Sequence, residues 1–248
     1  MIRVAYLGAK TVGLECLKFL IEKAAENNID IAAVFTNLNR NASTNRELIG
    51  IAEANNIPVY EELDEMLTLP EFDYIISVQY HKILKPQHIA RATKQAINLH
   101  MAPLPEYRGC NQFSYAIVEG AKVFGTTLHV LDVGIDSGDI IAEKRFDMPE
   151  GIYVEQLFQM TSEKSVELFK ESIVDILNEN YTCIPQKDLV AERGTKIVYR
   201  KDIDKLKQID LSWDKDKIER YIRATLMPNF EPPYTYVGGE KIYFTTKY

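Results

Sequence analysis

Apolar residues follow two different periods along the chain. Short, nearly all-apolar runs occupy residues 2–7, 30–36, 73–78 and 96–99, whereas residues 11–27 carry apolar side chains every three or four positions. Continuous apolar strands are typical of a parallel sheet whose two faces are covered, and the longer period is typical of the covering helices. The alternation predicts an α/β fold with a Rossmann-like, doubly wound, mostly parallel sheet.

The same periods continue beyond the first half of the chain. Predicted strands lie at residues 126–132 and 140–148, and predicted helices at residues 112–119 and 153–177. Asn45 is predicted to cap a further helix between the second and third strands, since a side-chain amide can satisfy a free backbone N–H at a helix start. These elements account for a first domain over residues 1–185.

The pattern changes near Pro185. The predicted elements that follow are a strand at residues 196–199, a helix at residues 214–224, and a hairpin of residues 234–237 and 241–244. Gly238 and Gly239 lie between the two halves of this hairpin, which is typical of a two-residue turn. We therefore predict a small β-rich C-terminal region over residues 186–248.

The balance of charge argues against a nucleic-acid partner. The formal net charge is −7, from 29 basic and 36 acidic residues, whereas binding to a phosphate backbone relies on lysine and arginine. The C-terminal part is only slightly basic, with 12 basic and 9 acidic residues from Val190 onward.

Cysteine usage and hydropathy point to a reducing compartment. The three cysteines are far apart and form no C-x-x-C pair, so neither a disulfide framework nor a metal site is predicted. No segment approaches about 18 consecutive apolar residues, and the N-terminal run is too short for a signal peptide. We expect a cytoplasmic protein without a membrane partner.

The segment INLHMAPLPEYRG, residues 97–109, places polar side chains at the end of an apolar strand. Asn98 and His100 are two residues apart, so both side chains project from the same face of an extended strand. Pro103 and Pro105 then fix two φ angles in the loop that follows. Because ligands of open α/β sheets bind at the carboxyl ends of strands, Asn98 and His100 are predicted to act on one reacting group.

Three other features have both a structural and a functional interpretation. The turn GAKTVG places Lys10 before a helix, where it forms either a simple tight turn or, with the helix N-terminus, a site for phosphate or carboxylate. His129 lies in the middle of a strand, so a hydrogen-bonded structural role is expected. Asp136 lies in the turn GIDSGD, where carboxylates usually bind backbone amides.

With Asn98-x-His100, the loop LPEYRG and the segment GIDSGDI in view, the sequence resembles the folate-dependent formyltransferases almost from end to end. In that family the catalytic set is an Asn, a His two residues later and an Asp 36 residues after the His, and Asn98, His100 and Asp136 match both types and spacing. The loop HMAPLPEYRGCNQFSYAI, the strand FGTTLH and the ending RATLMPNFEPPYTYVGGEKIYF most resemble the sugar-nucleotide N-formyltransferases. The resemblance therefore implies that Asn98, His100 and Asp136 are catalytic.

The same resemblance implies a reaction and its participants. A formyl group would move from the co-substrate 10-formyltetrahydrofolate to the amine of a nucleotide-linked aminodeoxysugar. The expected acceptor is dTDP-4-amino-4,6-dideoxyglucose, used for lipopolysaccharide O-antigen. A homodimer that needs no metal is implied as well.

Candidate binding residues accompany this assignment. The resemblance places folate against Val78, Gln79, Tyr80, Ile83, Leu84 and Asp136. Candidates for binding the nucleotide sugar are Lys10, Tyr107, Arg108, Gly109, Asn111, Tyr221, Arg223 and Phe230. Among these, the cationic residues are candidates for contact with the diphosphate, and Tyr221 and Phe230 for stacking on the base. The alternative for the aromatic residues is that they only pack the C-terminal region onto the first domain.

The implied mechanism is attack of a neutral amine on the formyl carbon, with an oxyanion in the transition state. The Asn98 amide and an N–H of His100 would stabilise this oxyanion, and His100 would act as base, oxyanion donor or both in turn. Asp136 would orient the imidazole and stabilise its charged form. The remaining alternatives are formylation of another amine, that of methionyl-tRNA or glycinamide ribonucleotide, and a nucleotide-binding module without catalysis. Initiator tRNA is disfavoured by the small, weakly basic C-terminal region.

Overall fold

A seven-stranded sheet forms the centre of the computed structural model, which describes residues 1–39 and 42–245. From one edge to the other, its strands are β3 (Val59–Tyr60), β2 (Ile29–Phe35), β1 (Ile2–Gly8), β4 (Phe72–Val78), β5 (Ala92–His100), β7 (Val123–Val130) and β8 (Ile140–Asp147). The pairs from β3 to β5 are parallel, and β7 is antiparallel to both β5 and β8. The expected Rossmann-like, mostly parallel sheet is confirmed.

Alternate residues of each strand fill two cores. In β1, Val4 and Tyr6 face the core formed with the long helices, and Ala5 and Leu7 face the opposite core. The long helices are α1 (Lys10–Ala24), α2 (Ser43–Ala54) and α5 (Val154–Leu177), while the other face is covered by a 3-10 helix (Leu63–Thr68) and the short α3 (Pro86–Ile89). Burial on both faces explains why the strands read as continuous apolar runs.

Local boundaries differ from the sequence-based expectation, notably at α2 and β5. Asn45 lies inside α2 rather than at its N-cap, which is Ala42, and the Asn45 side chain donates to the carbonyl oxygen of Asn39. The predicted cap at Asn45 is therefore wrong. Strand β5 begins at Ala92, earlier than predicted, and it extends to include His100. Very short elements such as β3 contain too few residues to carry a recognisable period.

The C-terminal part contains α6 (Gln186–Arg193), β9 (Ile197–Val198), α7 (Ile203–Lys207), α8 (Lys215–Thr225), β10 (Tyr234–Val237) and β11 (Glu240–Tyr243). The predicted hairpin is present as β10 and β11, and Gly238 and Gly239 have φ angles of 60° and 89°. Positive φ at both central residues is what a two-residue hairpin turn requires.

The C-terminal part is joined to the first 185 residues by backbone pairing. Strand β9 pairs in parallel with the short β6 (Arg108–Gly109), and Ile184 forms an antiparallel bridge with Ile140. The boundary at residue 185 thus remains a prediction, since hydrogen bonds link the chain on its two sides. Within the described ranges, no helix is both long enough and apolar enough to cross a membrane.

Candidate active site

Three polar side chains meet at the carboxyl end of β5. Asn98 and His100 project from one face of the strand, and the turn between β7 and β8 brings Asp136 to them. The Nδ1 atom of His100 lies 3.6 Å from Oδ2 of Asp136. The three residues grouped by the sequence resemblance are therefore neighbours in space.

His100 is buried, and a hydrogen bond fixes its neutral tautomer. Its Nε2 lies 2.7 Å from the carbonyl oxygen of Tyr107. Since a carbonyl oxygen only accepts, Nε2 carries the hydrogen and Nδ1, which faces Asp136, is the basic nitrogen. Burial lowers the pKa of His100 and outweighs the opposing effect of the Asp136 carboxylate. The imidazole is therefore neutral at pH 7, and its Nδ1 lone pair is free to accept a proton.

Asp136 is held in an uncommon backbone conformation with a φ angle of 44°. Its Oδ2 atom accepts a hydrogen bond of 2.8 Å from the backbone N–H of Gly109. Burial alone would raise the pKa of Asp136, but His100, His129 and the Gly109 N–H hold it well below its usual range. The Asp136 carboxylate is therefore ionised at a pH at which the His100 imidazole is neutral.

His129 belongs to this cluster. In the antiparallel register of β5 and β7, Asn98 lies directly opposite His129. The Nδ1 atom of His129 is 2.8 Å from the Val130 carbonyl oxygen, so it carries the hydrogen, and Nε2 accepts from Nδ2 of Asn98 at 3.2 Å. The same Nε2 lies 3.5 Å from Oδ1 of Asp136. The expected hydrogen-bonded role is present, but its partners are the catalytic candidates, which sequence reasoning missed.

The loop after β5 turns its backbone, rather than its tyrosine ring, toward the cluster. The Tyr107 side chain is buried against Phe124, with ring centroids 5.7 Å apart, and its hydroxyl donates to Glu119. The Tyr107 ring thus belongs to the core, and Tyr107 remains a candidate for binding the nucleotide sugar only through its backbone. Gly109 has a φ of 87°, and a side chain there would collide with the Val198 carbonyl of β9. Only glycine can therefore bring this N–H to Asp136.

The chain matches the family described as "Formyl transferase" over residues 2–173, which is more than half of its length. The protein belongs to this formyl transferase family. The resemblance to formyltransferases is confirmed, and so is the expectation of an enzyme rather than a non-catalytic nucleotide-binding module.

Two relatives show how the formyltransferase compares in sequence. A methionyl-tRNA formyltransferase from Clostridium perfringens is 29% identical over 235 residues, covering 90% of this chain and 73% of the relative. A GDP-perosamine N-formyltransferase from Brucella melitensis is 29% identical over 173 residues, covering 69% of this chain and 63% of the relative. Both relatives transfer formyl groups, but their acceptors differ.

Solved structures share the fold of this formyltransferase. A 4-N formyltransferase from Francisella tularensis superposes with a TM-score of 0.81 at 20% identity, covering 99% of this chain and 97% of that one. An N-formyltransferase from Helicobacter canadensis, in complex with folinic acid and dTDP-3-aminofucose, gives a TM-score of 0.79 at 23% identity, covering 98% of this chain and 86% of that one. At these identities the likeness establishes the shared fold.

At the start of α1, the charge of Lys10 is close enough to that of Arg200 for the two to interact. Lys10 has a φ of 58°, and its Nζ donates to the Gln79 side chain at 3.2 Å. Burial lowers the pKa of Lys10, and the positive charge of Arg200 lowers it further. In the described part of the chain, neither cation has a carboxylate within ion-pair distance. Arg200 was not predicted, because nothing local in the sequence connects it with Lys10.

Asn111 and Arg108 serve as structural links beside the cluster. The Asn111 side chain donates to the carbonyl oxygens of Tyr199 and Arg200. The Arg108 guanidinium donates through Nε to the Ile135 carbonyl oxygen at 2.7 Å. Asn111 thus places the backbone that carries Arg200, and Arg108 holds the turn that carries Asp136.

The segment predicted to contact folate follows β4. Val78 is buried at the strand end, and Gln79 has a φ of 54°. Leu84 and Tyr80 pack against the core opposite the long helices, and the Tyr80 hydroxyl is buried without a hydrogen-bond partner among the described residues. Ile83 is 89% exposed. The predicted apolar wall is thus split, with Leu84 inside and Ile83 in solvent.

Three candidate sugar-binding residues lie elsewhere in the C-terminal part. Arg223 lines a cavity of about 570 Å³ between α4 (Gln112–Glu119), α8 and the end of β8, and none of the three catalytic candidates lines it. Tyr221 packs on Trp213, with ring centroids 4.8 Å apart. Phe230 is 66% exposed. The structure thus places the Tyr221 ring in a contact within the C-terminal part and Arg223 at a separate cavity.

Proposed function

We propose that the protein transfers a formyl group from 10-formyltetrahydrofolate to the amine of a nucleotide-linked aminodeoxysugar. The observation that carries the proposal is the pairing of a neutral, buried His100 with an ionised Asp136, beside the Asn98 amide. A base of this kind suits deprotonation of an amine as it attacks a carbonyl carbon. The fold shared with sugar N-formyltransferases supports this acceptor class.

His100 acts as the base through Nδ1. Because Nε2 is committed to the Tyr107 carbonyl oxygen, the proton of the attacking amine goes to Nδ1. The resulting imidazolium lies 3.6 Å from the Asp136 carboxylate, which stabilises its charge. Deprotonation and charge stabilisation thus occur on one side of the ring. When the tetrahedral adduct collapses, the bond from the formyl carbon to folate N10 breaks, and the imidazolium returns the proton to that leaving nitrogen.

Asn98 stabilises the oxyanion. Its Nδ2 carries two hydrogens, of which one is donated to His129, so the other is available to a substrate oxygen. The bond to His129 fixes the rotation of the amide in advance of the reaction. One preorganised donor of this kind typically lowers the barrier by about 3 kcal/mol.

Lys10 and Arg200 bind the diphosphate of the sugar nucleotide. Neither Lys10 nor Arg200 has a carboxylate partner among the described residues, so their two positive charges form a site suited to a doubly charged anion. The N-terminus of the 15-residue α1 adds free N–H groups and the positive end of its dipole. The site lies beside Gln79 and therefore next to the proposed folate segment.

The residues after β4 fit one edge of a folate ring. The half-buried Gln79 lies beside Lys10 and offers polar contacts, and the exposed Ile83 offers an apolar one. Bound here, 10-formyltetrahydrofolate supplies the electrophilic formyl carbon. The chain's own residues would hold the pterin edge and keep water from it.

Methionyl-tRNA is the second candidate acceptor, and the 29% identity to a methionyl-tRNA formyltransferase favours it. The net charge of −7 is unfavourable for binding a polyanion of that size. Formylation of glycinamide ribonucleotide has no specific support in the structure. We therefore rank the sugar nucleotide first, with dTDP-4-amino-4,6-dideoxyglucose for lipopolysaccharide O-antigen as the expected acceptor.

The proposal includes a cytoplasmic homodimer. The hairpin of β10 and β11 exposes about half of each of four apolar or aromatic side chains, Tyr236, Val237, Ile242 and Tyr243. Tyr236 and Tyr243 lie on one face of the hairpin, and Val237 and Ile242 lie on the other. Exposed apolar side chains of this kind are typical of an interface. We expect two copies of the hairpin to pack together.

The deciding experiment offers purified protein and 10-formyltetrahydrofolate a panel of acceptors. The panel contains dTDP-, GDP- and UDP-linked 3-amino and 4-amino sugars, methionyl-tRNA and glycinamide ribonucleotide. Mass spectrometry of a sugar nucleotide that has gained one CO unit supports the proposal. A product only from methionyl-tRNA would replace it with the second candidate, and no product from any sugar would overturn it.

A further inference from the structure

The Asp136 carboxylate depends on an unusual backbone, since residue 136 has a positive φ without being glycine. Left-handed backbone at such a residue costs energy and persists only where surrounding contacts hold it. The carboxylate's own bond to Gly109 fixes the side chain, and the Arg108 bond to Ile135 fixes the residue before it. The backbone carbonyl oxygens of Asp136 and Gly138 are held by neither of these bonds, so they need a separate donor.

Gln186, at the start of α6, is that donor. Its Nε2 lies 2.8 Å from the Asp136 carbonyl oxygen and 2.7 Å from the Gly138 carbonyl oxygen. Both hydrogens of the amide nitrogen are therefore used on one turn. The side chain is buried, and its Oε1 has no hydrogen-bond partner among the described residues.

Burying the Oε1 atom of Gln186 without a partner costs free energy, which indicates that the amide is present for the two hydrogen bonds that its nitrogen donates. A buried, unpaired acceptor is unfavourable, so the site would favour an apolar side chain if it only needed filling. The neighbouring Ile184 is bound through both its N–H and its carbonyl to Ile140 in β8, which fixes where Gln186 can reach. Backbone pairing thus sets the position of residue 186, and the Gln186 side chain at that position donates two hydrogen bonds.

We propose that Gln186 is a positioning residue that holds the Asp136 turn in the conformation needed for the carboxylate to face His100. The inference rests on the proposed catalytic role of Asp136. Gln186 touches neither proposed reacting group and acts only through the two carbonyl oxygens. The charged and titratable groups that face the Asp136 carboxylate are His100 and His129, so a shift of the turn changes the charge felt by both imidazoles.

The test replaces the double donor and measures catalysis separately from folding. Gln186→Met keeps the length of the side chain and removes both donors, and Gln186→Glu replaces the amide by a carboxylate that faces two carbonyl oxygens. Gln186→Asn keeps the amide but shortens its reach, and it carries the test if the other variants fail to fold. Asp136→Asn is measured alongside. Gln156→Met is the matched control, because Gln156 also bonds to backbone, at the start of α5 and away from the site.

We expect Gln186→Met to lower kcat by about tenfold or more, since small displacements of a catalytic group have effects of this size. KM for the nucleotide sugar should change little, and the acid limb of the pH profile should move in the same direction as in Asp136→Asn. Gln156→Met should lower the melting temperature without either change. If Asp136→Asn is impaired while the Gln186 variants have normal kcat and pH profile, the positioning role is wrong. If Asp136→Asn itself is normal, the proposed role of Asp136 fails first, and the positioning role with it.

Discussion

The Nε2 of His100 donates to the carbonyl oxygen of Tyr107 at a distance of 2.7 Å. This bond links the strand that carries the imidazole to the loop that follows it, and it selects one tautomer of the neutral ring. The basic Nδ1 is thereby directed toward Asp136, 3.6 Å away. The Tyr107 carbonyl oxygen thus determines that Nδ1 of His100 is the nitrogen that accepts the proton. Because this oxygen belongs to the backbone, no side-chain substitution removes it.

Loss of either reacting group should slow turnover without abolishing binding. We expect His100→Asn or Asp136→Ala to lower kcat by ~10²-fold or more, because general-base and electrostatic contributions are of this size. Affinity for the sugar nucleotide, measured by calorimetry, should persist, since the proposed diphosphate site lies at Lys10 and Arg200. Turnover near that of the wild type in either variant would overturn the assignment.

The Asp136→Asn variant should have a shifted pH profile. The reaction needs neutral His100, so kcat/KM falls as the pH falls through the His100 pKa. The negative charge of Asp136 acts to raise that pKa, so its removal lowers the pKa and moves the acid limb to lower pH. Steady-state rates measured across the acid range check this, and a limb that stays or moves to higher pH contradicts it.

Replacing His129 should affect catalysis more than binding. His129→Leu removes the acceptor that fixes the Asn98 amide, and we expect kcat to fall by about tenfold, a part of what an oxyanion donor contributes. His88→Leu is a matched control, because His88 is equally buried and hydrogen-bonds to Asp64 and the Lys85 N–H away from the site. Both variants should melt at lower temperature, and equal kcat in the two would argue against the role of His129.

The two cations should act on KM. Arg200→Ala and Lys10→Ala should each raise KM for the sugar nucleotide by roughly tenfold, because a charged hydrogen bond to phosphate contributes on the order of 1.5–3 kcal/mol. Lys201→Ala, next to Arg200 and exposed, is the control and should leave KM unchanged. The effects should weaken at high salt. A KM in Arg200→Ala that matches the control would remove Arg200 from the site.

The hairpin should determine the oligomeric state. Ile242→Glu places a charge on the exposed apolar surface of β11, and burial of an unpaired charge at an interface is unfavourable. We expect light scattering after gel filtration to give a dimer for the wild type and a monomer for this variant. Glu240→Gln, on the same strand, should remain dimeric. A wild-type monomer would refute the proposed homodimer.

The sequence was sufficient for features that depend on local geometry. Asn98 and His100 were assigned to one face because successive side chains of a strand alternate, whatever the rest of the chain does. The turn at Gly238 and Gly239 was likewise predicted from two adjacent residues that tolerate positive φ. Asp136 could be joined to the pair only through the family resemblance, since spacing along the chain does not determine distance in space.

The features that were missed depend on long-range packing. His129 joins the site because β7 runs antiparallel to β5 in one register, and hydropathy does not specify that register. The fold brings the charge of Arg200 near that of Lys10, although 190 residues separate them along the chain. Tyr107 was a candidate for the sugar site because its loop follows β5, yet a strand-end loop has two sides and this ring turns to the core.

The pairing of β6 with β9 has a consequence for the synthesis of the protein. Gly109 is held in place against Val198. The Gly109 N–H that bonds to Asp136 is therefore fixed only after Val198 has left the ribosome. In a growing chain, Asn98, His100 and Asp136 leave the ribosome well before Val198 does. We expect a chain that ends before Val198 to lack the assembled site.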